Sequence, residues 1–141
     1  MIIVDTNVIS ELLRPAPAKQ VETWLSAQDG ANLYFTTIGE AELRHGVAIL
    51  PSGKRRTSLI RAIEGILEED FRDRILSFDR PAASAYAAIA SERRALGRPI
   101  SQFDCQIAAI ARAHGASVAT RNTDDYESCG LELLNPWELS S

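Results

Sequence analysis

A chain of 141 residues, 45% hydrophobic and 24% charged, carries enough apolar surface for one buried core and has the composition of an ordinary globular domain. Fifteen Lys and Arg against nineteen Asp and Glu leave a net charge of −4. That balance argues against a non-specific nucleic-acid binder, which is normally basic, but not against a nuclease that holds its substrate through bound cations and a local basic patch.

Residues 1–4, Met-Ile-Ile-Val, form a continuous apolar run ahead of Asp-Thr-Asn and read as a buried parallel strand. This start has neither the basic region nor the apolar stretch of a signal peptide, and no later run is long enough to span a membrane, so a cytoplasmic protein without membrane contact is expected. Val8, Ile9, Leu12 and Leu13 recur at helical spacing until Pro15 and Pro17 stop the helix. Val21, Trp24 and Leu25 mark a second short helix closed by the Asp29-Gly30 turn, and residues 33–35 look like a second strand. Thr37, with Glu40 three residues on, has the form of a capping box and opens a helix to about Leu50. Beyond Pro51-Ser52-Gly53, an apolar stripe of Leu59, Ile60, Ile63, Ile66 and Leu67 predicts a longer helix.

Residues 75–78 read as a third strand, and Asp79 as the cap of a helix with Pro81 near its start. The alanine-rich stretch 82–96 implies close helix packing and ends at Gly97 and Pro99. Ser101 and Asp104 repeat the capping pattern, and Ile107, Ala108, Ile110 and Ala111 carry that helix to His114-Gly115. Residues 117–120 give a fourth strand and 131–134 a fifth, ended by Pro136. Strands alternating with helices predict an α/β sandwich with a mainly parallel sheet, one domain over 1–141 with no repeat or long linker. Cys105 and Cys129 lack a CxxC partner and need no bridge. His45 and His114 lack zinc-motif spacing and read as surface or helix-end residues.

In open α/β sheets, ligands bind beyond the C-terminal ends of the strands. Asp5 follows the first strand directly, and the segment 121–125 follows the fourth. Asp5 also suits an N-cap, which leaves one of its two oxygens for a metal. Asp104 lies in register with Ile107, Ala108 and Ala111, on the apolar face of its helix, where an unpaired charge is costly. Its plainer use is as the acid of the cap, at the positive end of the helix dipole. Glu42 falls near a line through Ile38 and Ile49, with Leu43 and Val47 beside it; the alternative is a surface glutamate whose one basic partner is His45. Such acids meeting at one sheet edge repel by roughly 3 kcal/mol per pair at about 5 Å, for an effective dielectric of about 20. Divalent cations sustain such a cluster. An all-oxygen donor set without thiolates or imidazoles calls for Mg²⁺, or Mn²⁺, rather than Zn²⁺, and such an ion can activate water against a phosphodiester.

The segments 1–11, 41–47, 104–111 and 118–122 resemble, in order and spacing, the PIN-domain VapC toxins, and Pro136-Trp137 and the chain length point to the FitB-like branch. The resemblance spans nearly the whole chain. It implies a three-layer sandwich with a five-stranded parallel sheet flanked by helices, and a Mg²⁺-dependent endoribonuclease serving as the toxin of a type II toxin–antitoxin module. By position, Asp5 and Asp104 match the family's metal-binding aspartates, and Glu42 its helical acid, which holds metal or orients water. The family places a fourth acid directly after the Thr-Arg pair or a few residues later. Position 122 here is Asn, with Asp124 and Asp125 following; Asp125 is the favoured fourth acid and Asn122 a neutral ligand or orienter, a departure that bears on a second metal site. Thr6, Asn7 and Thr120 are candidates for orienting Asp5 or its water, or plain turn and cap residues.

The same resemblance implies a homodimer and a VapB-like antitoxin whose arginine-bearing tail enters the acidic site, since a guanidinium pairs bidentately with carboxylates. DNA contact would then come only through the antitoxin. Lys54, Arg55, Arg56 and Arg61, and Arg93, Arg94 and Arg98, are candidate RNA-backbone contacts or solvated helix faces. One competing reading is a PIN scaffold that lost turnover through Asn122 and only binds antitoxin or RNA. Another is a phosphotransfer receiver or haloacid-dehalogenase-like phosphatase. It fits poorly, because the phosphatase pattern needs Asp at position 7, which is Asn, and neither Lys19 nor Lys54 follows a late strand.

Overall fold

The apolar run behind Met1 becomes β1 (Ile2–Val4), the middle strand of a five-stranded sheet in a computed structural model that describes residues 1–138. Its partners are β2 (Leu33–Thr36), β3 (Ile75–Leu76), β4 (Ser117–Ala119) and β5 (Leu133–Leu134). The order across the sheet is β3-β2-β1-β4-β5, and every pairing is parallel. In register, Ile3 stands between Tyr34 of β2 and Val118 of β4.

Successive side chains of a strand point to opposite faces. Ile3 and Val118 pack on one side against α5 (Arg80–Ala95) and α6 (Gln102–His114), through Ile89, Ile107, Ala108 and Ile110. Ile2, Val4, Leu33 and Phe35 pack on the other against α1 (Thr6–Leu12), α2 (Lys19–Ser26), α3 (Thr37–Ala48) and α4 (Lys54–Gly65), through Val8, Val21, Leu43 and Ile63. Both faces are covered, which is why β1 is apolar at every position. The result is the expected three-layer sandwich.

Local chemistry sets the element ends. Asp79 caps α5 by accepting from the Ala82 N–H at 3.1 Å, and Ser101 caps α6 through the Asp104 N–H at 3.2 Å. Gly115, at φ +63°, closes α6 in the left-handed conformation that glycine adopts freely. The cap of α3 is one residue earlier than the sequence pattern indicates. Thr36 is still extended, and its hydroxyl accepts from the Gly39 N–H at 3.0 Å, whereas Thr37 is already helical. Strand β2 runs into α3 without a loop, so the last strand residue becomes the cap, and Glu40 turns to Arg44 at 2.8 Å instead. Strands β3 and β5 are shorter than the runs 75–78 and 131–134, and α4 gives way to a wider π turn at Ile66–Asp70. Of the positions drawn into the apolar faces, Ile49 and Ile60 are exposed.

Both cysteines are free and buried. Among the described residues, no helix is long and apolar enough to cross a membrane. From β1 the chain builds outward through β2 and β3 on one side, then returns to lay down β4 and β5 on the other. The C-terminal ends of β1 and β4 therefore flank the switch point where α/β sheets place their ligands.

Candidate active site

Asp5 leaves the end of β1 with its N–H donating to the Ala119 carbonyl at 2.9 Å, which fixes it beside the end of β4. Its Oδ1 accepts from the Thr6 N–H at 2.8 Å, so the expected cap forms. Its Oδ2 accepts from the Thr120 hydroxyl at 2.8 Å and, more weakly, from the Asn7 amide at 3.4 Å. The residue is only 6% exposed and, among the described residues, pairs with no cationic group. Burial pushes its carboxyl up from 3.8 to about 6; the charges of Asp104 and Glu42 add to the rise, and the hydrogen bonds from Thr120 and Thr6 oppose it.

Glu42, half-buried on α3, accepts from the Thr6 hydroxyl at 2.8 Å rather than from His45. Burial raises its pKa first, and the charge of Asp104 adds to that. Asp104, half-buried on the first turn of α6, accepts from the Tyr126 hydroxyl at 3.3 Å. The three acids drawn from the sequence thus act on one another across β1, α3 and α6. Thr6, Asn7 and Thr120 hydrogen-bond to Asp5 or Glu42, and Thr120 Oγ1 also accepts from the Asn122 N–H at 3.1 Å and the Asn7 amide at 3.3 Å.

Tyr126 is the site residue that sequence reasoning passed over. It ends the 3-10 turn Thr123–Tyr126 and is 1% exposed. Burial, then the charges of Asp5 and Asp104, drives its phenol well above the ordinary tyrosine range, so it remains a donor. Its signal in the sequence is a tyrosine just past the strand-four acids, since a buried phenol needs a polar partner. Asp125 and Asn122 stand differently. Both are exposed, and among the described residues neither side chain hydrogen-bonds to the three acids. Asn122 reaches the site through its backbone N–H alone, and Asp125 offers its carbonyl to Arg93 at 3.0 Å.

Arg93 corrects an expectation. It is 4% exposed and spends its guanidinium on the carbonyls of Arg98, Asp125 and Glu127 at 2.6, 3.0 and 2.7 Å. It is therefore a brace for the turn that carries Tyr126. Arg98 pairs with Glu127 at 3.0 Å, while Arg94, Lys54, Arg55 and Arg61 remain exposed.

The donor set of the cluster suits a hard cation. It is built of oxygens, and one carboxylate, Asp5, is buried with no counter-charge among the described residues. The nearby Cys105 is not a thiolate, because burial pushes its thiol up to about 11. Among the described residues, no three His, Cys, Asp or Glu side chains already enclose one ion position. The acids form an open cluster, not a closed cage. Glu42 also borders two open depressions, of about 630 Å³ toward α4 and about 500 Å³ toward Arg121 and Trp137.

A family model described as PIN domain matches residues 2–129. The chain belongs to the PIN-domain family. Within it, the chain is 44% identical over 138 residues to the VapC ribonuclease Y4jK of Sinorhizobium fredii, covering 98% of this chain and 99% of that protein. It is 42% identical over 137 residues to the toxin FitB of Neisseria gonorrhoeae, covering 97% and 99%. The structure of FitAB bound to an IR36 DNA fragment superposes on this PIN domain with a TM-score of 0.94 at 41% identity, covering 100% of this chain and 99% of that one.

Proposed function

We propose that this PIN domain is a Mg²⁺-dependent endoribonuclease, with Mn²⁺ as an alternative ion, and the toxin of a toxin–antitoxin pair acting in the cytoplasm. One observation carries the reading. Asp5 is a buried carboxylate at the sheet's switch point, pushed up to about 6 and facing two further acids with, among the described residues, no cationic side chain to neutralise it. A hard dication is the group such an arrangement lacks, and Asp5, Asp104 and Glu42 are the residues that would hold it. Mg²⁺ keeps several of its waters and needs only one or two carboxylates, which agrees with an open cluster. Bound there, the ion supplies water activation and charge neutralisation at a phosphodiester.

The chain's own residues do the positioning. Thr120 and the Thr6 N–H fix the two oxygens of Asp5. Thr6 holds Glu42 by one oxygen, leaving the other as an acceptor for a proton from attacking water. Tyr126 steadies Asp104. The names of the relatives, a ribonuclease and a toxin, support RNA as the substrate. The likeness to FitAB on DNA supports a VapB-like antitoxin as partner and DNA contact through that partner; a homodimer is part of the same proposal. An antitoxin arginine entering the acid cluster would silence it by supplying the missing positive charge.

The test is cleavage of RNA by the purified chain, free of antitoxin, with Mg²⁺ and with EDTA. Cleavage that needs Mg²⁺ and is lost in Asp5→Asn and Asp104→Asn, both still folded, is the expected result; cleavage undiminished in those variants or in EDTA overturns it. A second reading, a PIN scaffold that binds antitoxin or RNA without turnover, is favoured by the exposure of Asn122 and Asp125. Detection of cut RNA by mass spectrometry removes it.

A further inference from the structure

Two acids, Glu11 and Glu42, line the depression of about 500 Å³ beside the acid cluster together with Arg14, Arg121 and Trp137. The guanidinium of Arg121 lies over the Trp137 ring, its Cζ 5.2 Å from the ring centroid. Among the described residues it has no carboxylate within ion-pair distance, although Glu42 borders the same space. Its backbone is held on both sides: its N–H donates to Asn7 Oδ1 at 3.3 Å, and its carbonyl accepts from the Asn135 amide at 3.4 Å. It directly follows Thr120, which holds Asp5.

Arg14 is the second cation. One of its nitrogens reaches Glu11 at 3.3 Å, but the side chain is 64% exposed. Glu11 is satisfied chiefly by the Ala18 N–H at 3.0 Å, which is also the first cause of its lowered pKa. Arg14 therefore keeps free donors facing the depression. A stacked guanidinium keeps its in-plane N–H groups available while losing little rotamer freedom on binding, the preorganisation that suits a phosphate. Arg121 also covers a face of Trp137, so that face is closed to a nucleobase and the wall reads charge, not sequence.

We propose that Arg121, stacked on Trp137, together with Arg14 forms a phosphate subsite that grips the backbone of single-stranded RNA beside the acid cluster. The choice of RNA as ligand rests on the ribonuclease reading; the phosphate chemistry rests on the wall itself. The subsite would place one backbone phosphate on positive charge beside the carboxylates.

The experiment measures binding of a short, mixed-sequence, 2′-O-methyl RNA, which cannot be cut by attack of its own 2′ oxygen, in EDTA by fluorescence anisotropy across a salt series. A parallel cleavage assay uses unmodified RNA with Mg²⁺. Arg121→Gln and Arg14→Gln each weaken binding about tenfold, and each lowers the slope of log affinity against log salt by about 0.7, the value for one phosphate on a single strand. Arg121→Lys is intermediate, because an ammonium cannot pair bidentately. Arg72→Gln, changed at an exposed arginine ahead of β3 on the opposite edge of the sheet, matches the unaltered chain. Unchanged affinity and slope in both Arg121→Gln and Arg14→Gln overturn the subsite, even if either variant loosens an antitoxin; so does an unaltered chain that binds no RNA. RNA that binds through Arg121 yet is never cut leaves the subsite standing and removes the ribonuclease reading instead.

Discussion

The hydroxyl of Thr6 donates to Oε1 of Glu42 at 2.8 Å, joining the first turn of α1 to the second turn of α3 across 36 positions of sequence. Among the described residues it is the one side-chain donor to Glu42. Thr6→Val keeps the shape and removes the bond, so it should cut RNA cleavage about tenfold, the equivalent of one ordinary hydrogen bond. Thr6→Ser should restore most of the rate. Initial rates on one RNA substrate decide it; equal rates for Thr6→Val and the unaltered chain would show that Glu42 needs no such orientation.

Close packing on α3 sets the position of that bond. A Cβ added at Gly39 would lie 2.5 and 2.6 Å from two ring atoms of Phe35 and 3.1 Å from Thr6 Oγ1. Phe35 is fully buried and stacked on Phe71 at 5.5 Å, so the ring has little room to retreat. Gly39→Ala should destabilise the fold by about 1–3 kcal/mol through overpacking, despite the better helix propensity of alanine. A urea midpoint that rises instead would contradict this packing.

Tyr126 supplies a donor one position after Asp125, which the family resemblance favours as the fourth acid. Tyr126→Phe should cost the fold about 1 kcal/mol and lower cleavage by raising the Mg²⁺ concentration needed for half-maximal rate, since Asp104 then lacks its one side-chain donor among the described residues. A variant with normal Mg²⁺ dependence would make the tyrosine a packing residue only.

The raised pKa of Asp5 gives stability a definite slope with pH in the metal-free protein. A carboxyl at about 6 in the folded state and 3.8 unfolded binds more protons when folded, so its favourable contribution is present below 3.8 and fades as pH rises through about 6. The loss amounts to at most about 3 kcal/mol. Glu42, also raised, adds the same sign. Glu11 and Glu64, held low by the Ala18 N–H and by Arg44, act the other way and lose stability as pH falls through their depressed values. In EDTA the urea midpoint should therefore fall between pH 5 and 7.5. Asp5→Asn should flatten that fall, and Mg²⁺ should flatten it in the unaltered chain. A midpoint that climbs over this range in EDTA would count against a buried, uncompensated Asp5.

Much of this candidate site is legible in the sequence, because its signals are local. The apolar run ending at Asp5 specifies a buried central strand with an acid at its tip, and the spacing of Asp104 to Ile107, Ala108 and Ala111 puts a carboxylate on a buried helix face. Consecutive threonines at 36 and 37 make the cap ambiguous by one residue, and only the direct join of β2 to α3 selects Thr36. The role of Tyr126 depends on a long-range event. Arg93 enters the core from α5 and pulls down the carbonyls of the 123–127 turn, which turns residue 126 inward and leaves Asp125 in solvent. No periodicity within five residues of a short 3-10 turn encodes which of two neighbours faces in. Arg93 itself looked like a surface cation, because a run of arginines on a helix does not reveal which one finds carbonyl acceptors.

The most direct test of the whole account is Mn²⁺ binding, followed by electron paramagnetic resonance in the unaltered chain and in Asp5→Asn and Asp104→Asn. Saturable binding that Mg²⁺ displaces, weakened at least about tenfold in each folded variant as expected for a lost metal ligand, is the predicted result. Absence of Mn²⁺ binding in the unaltered chain, or equal binding in both variants, would contradict it.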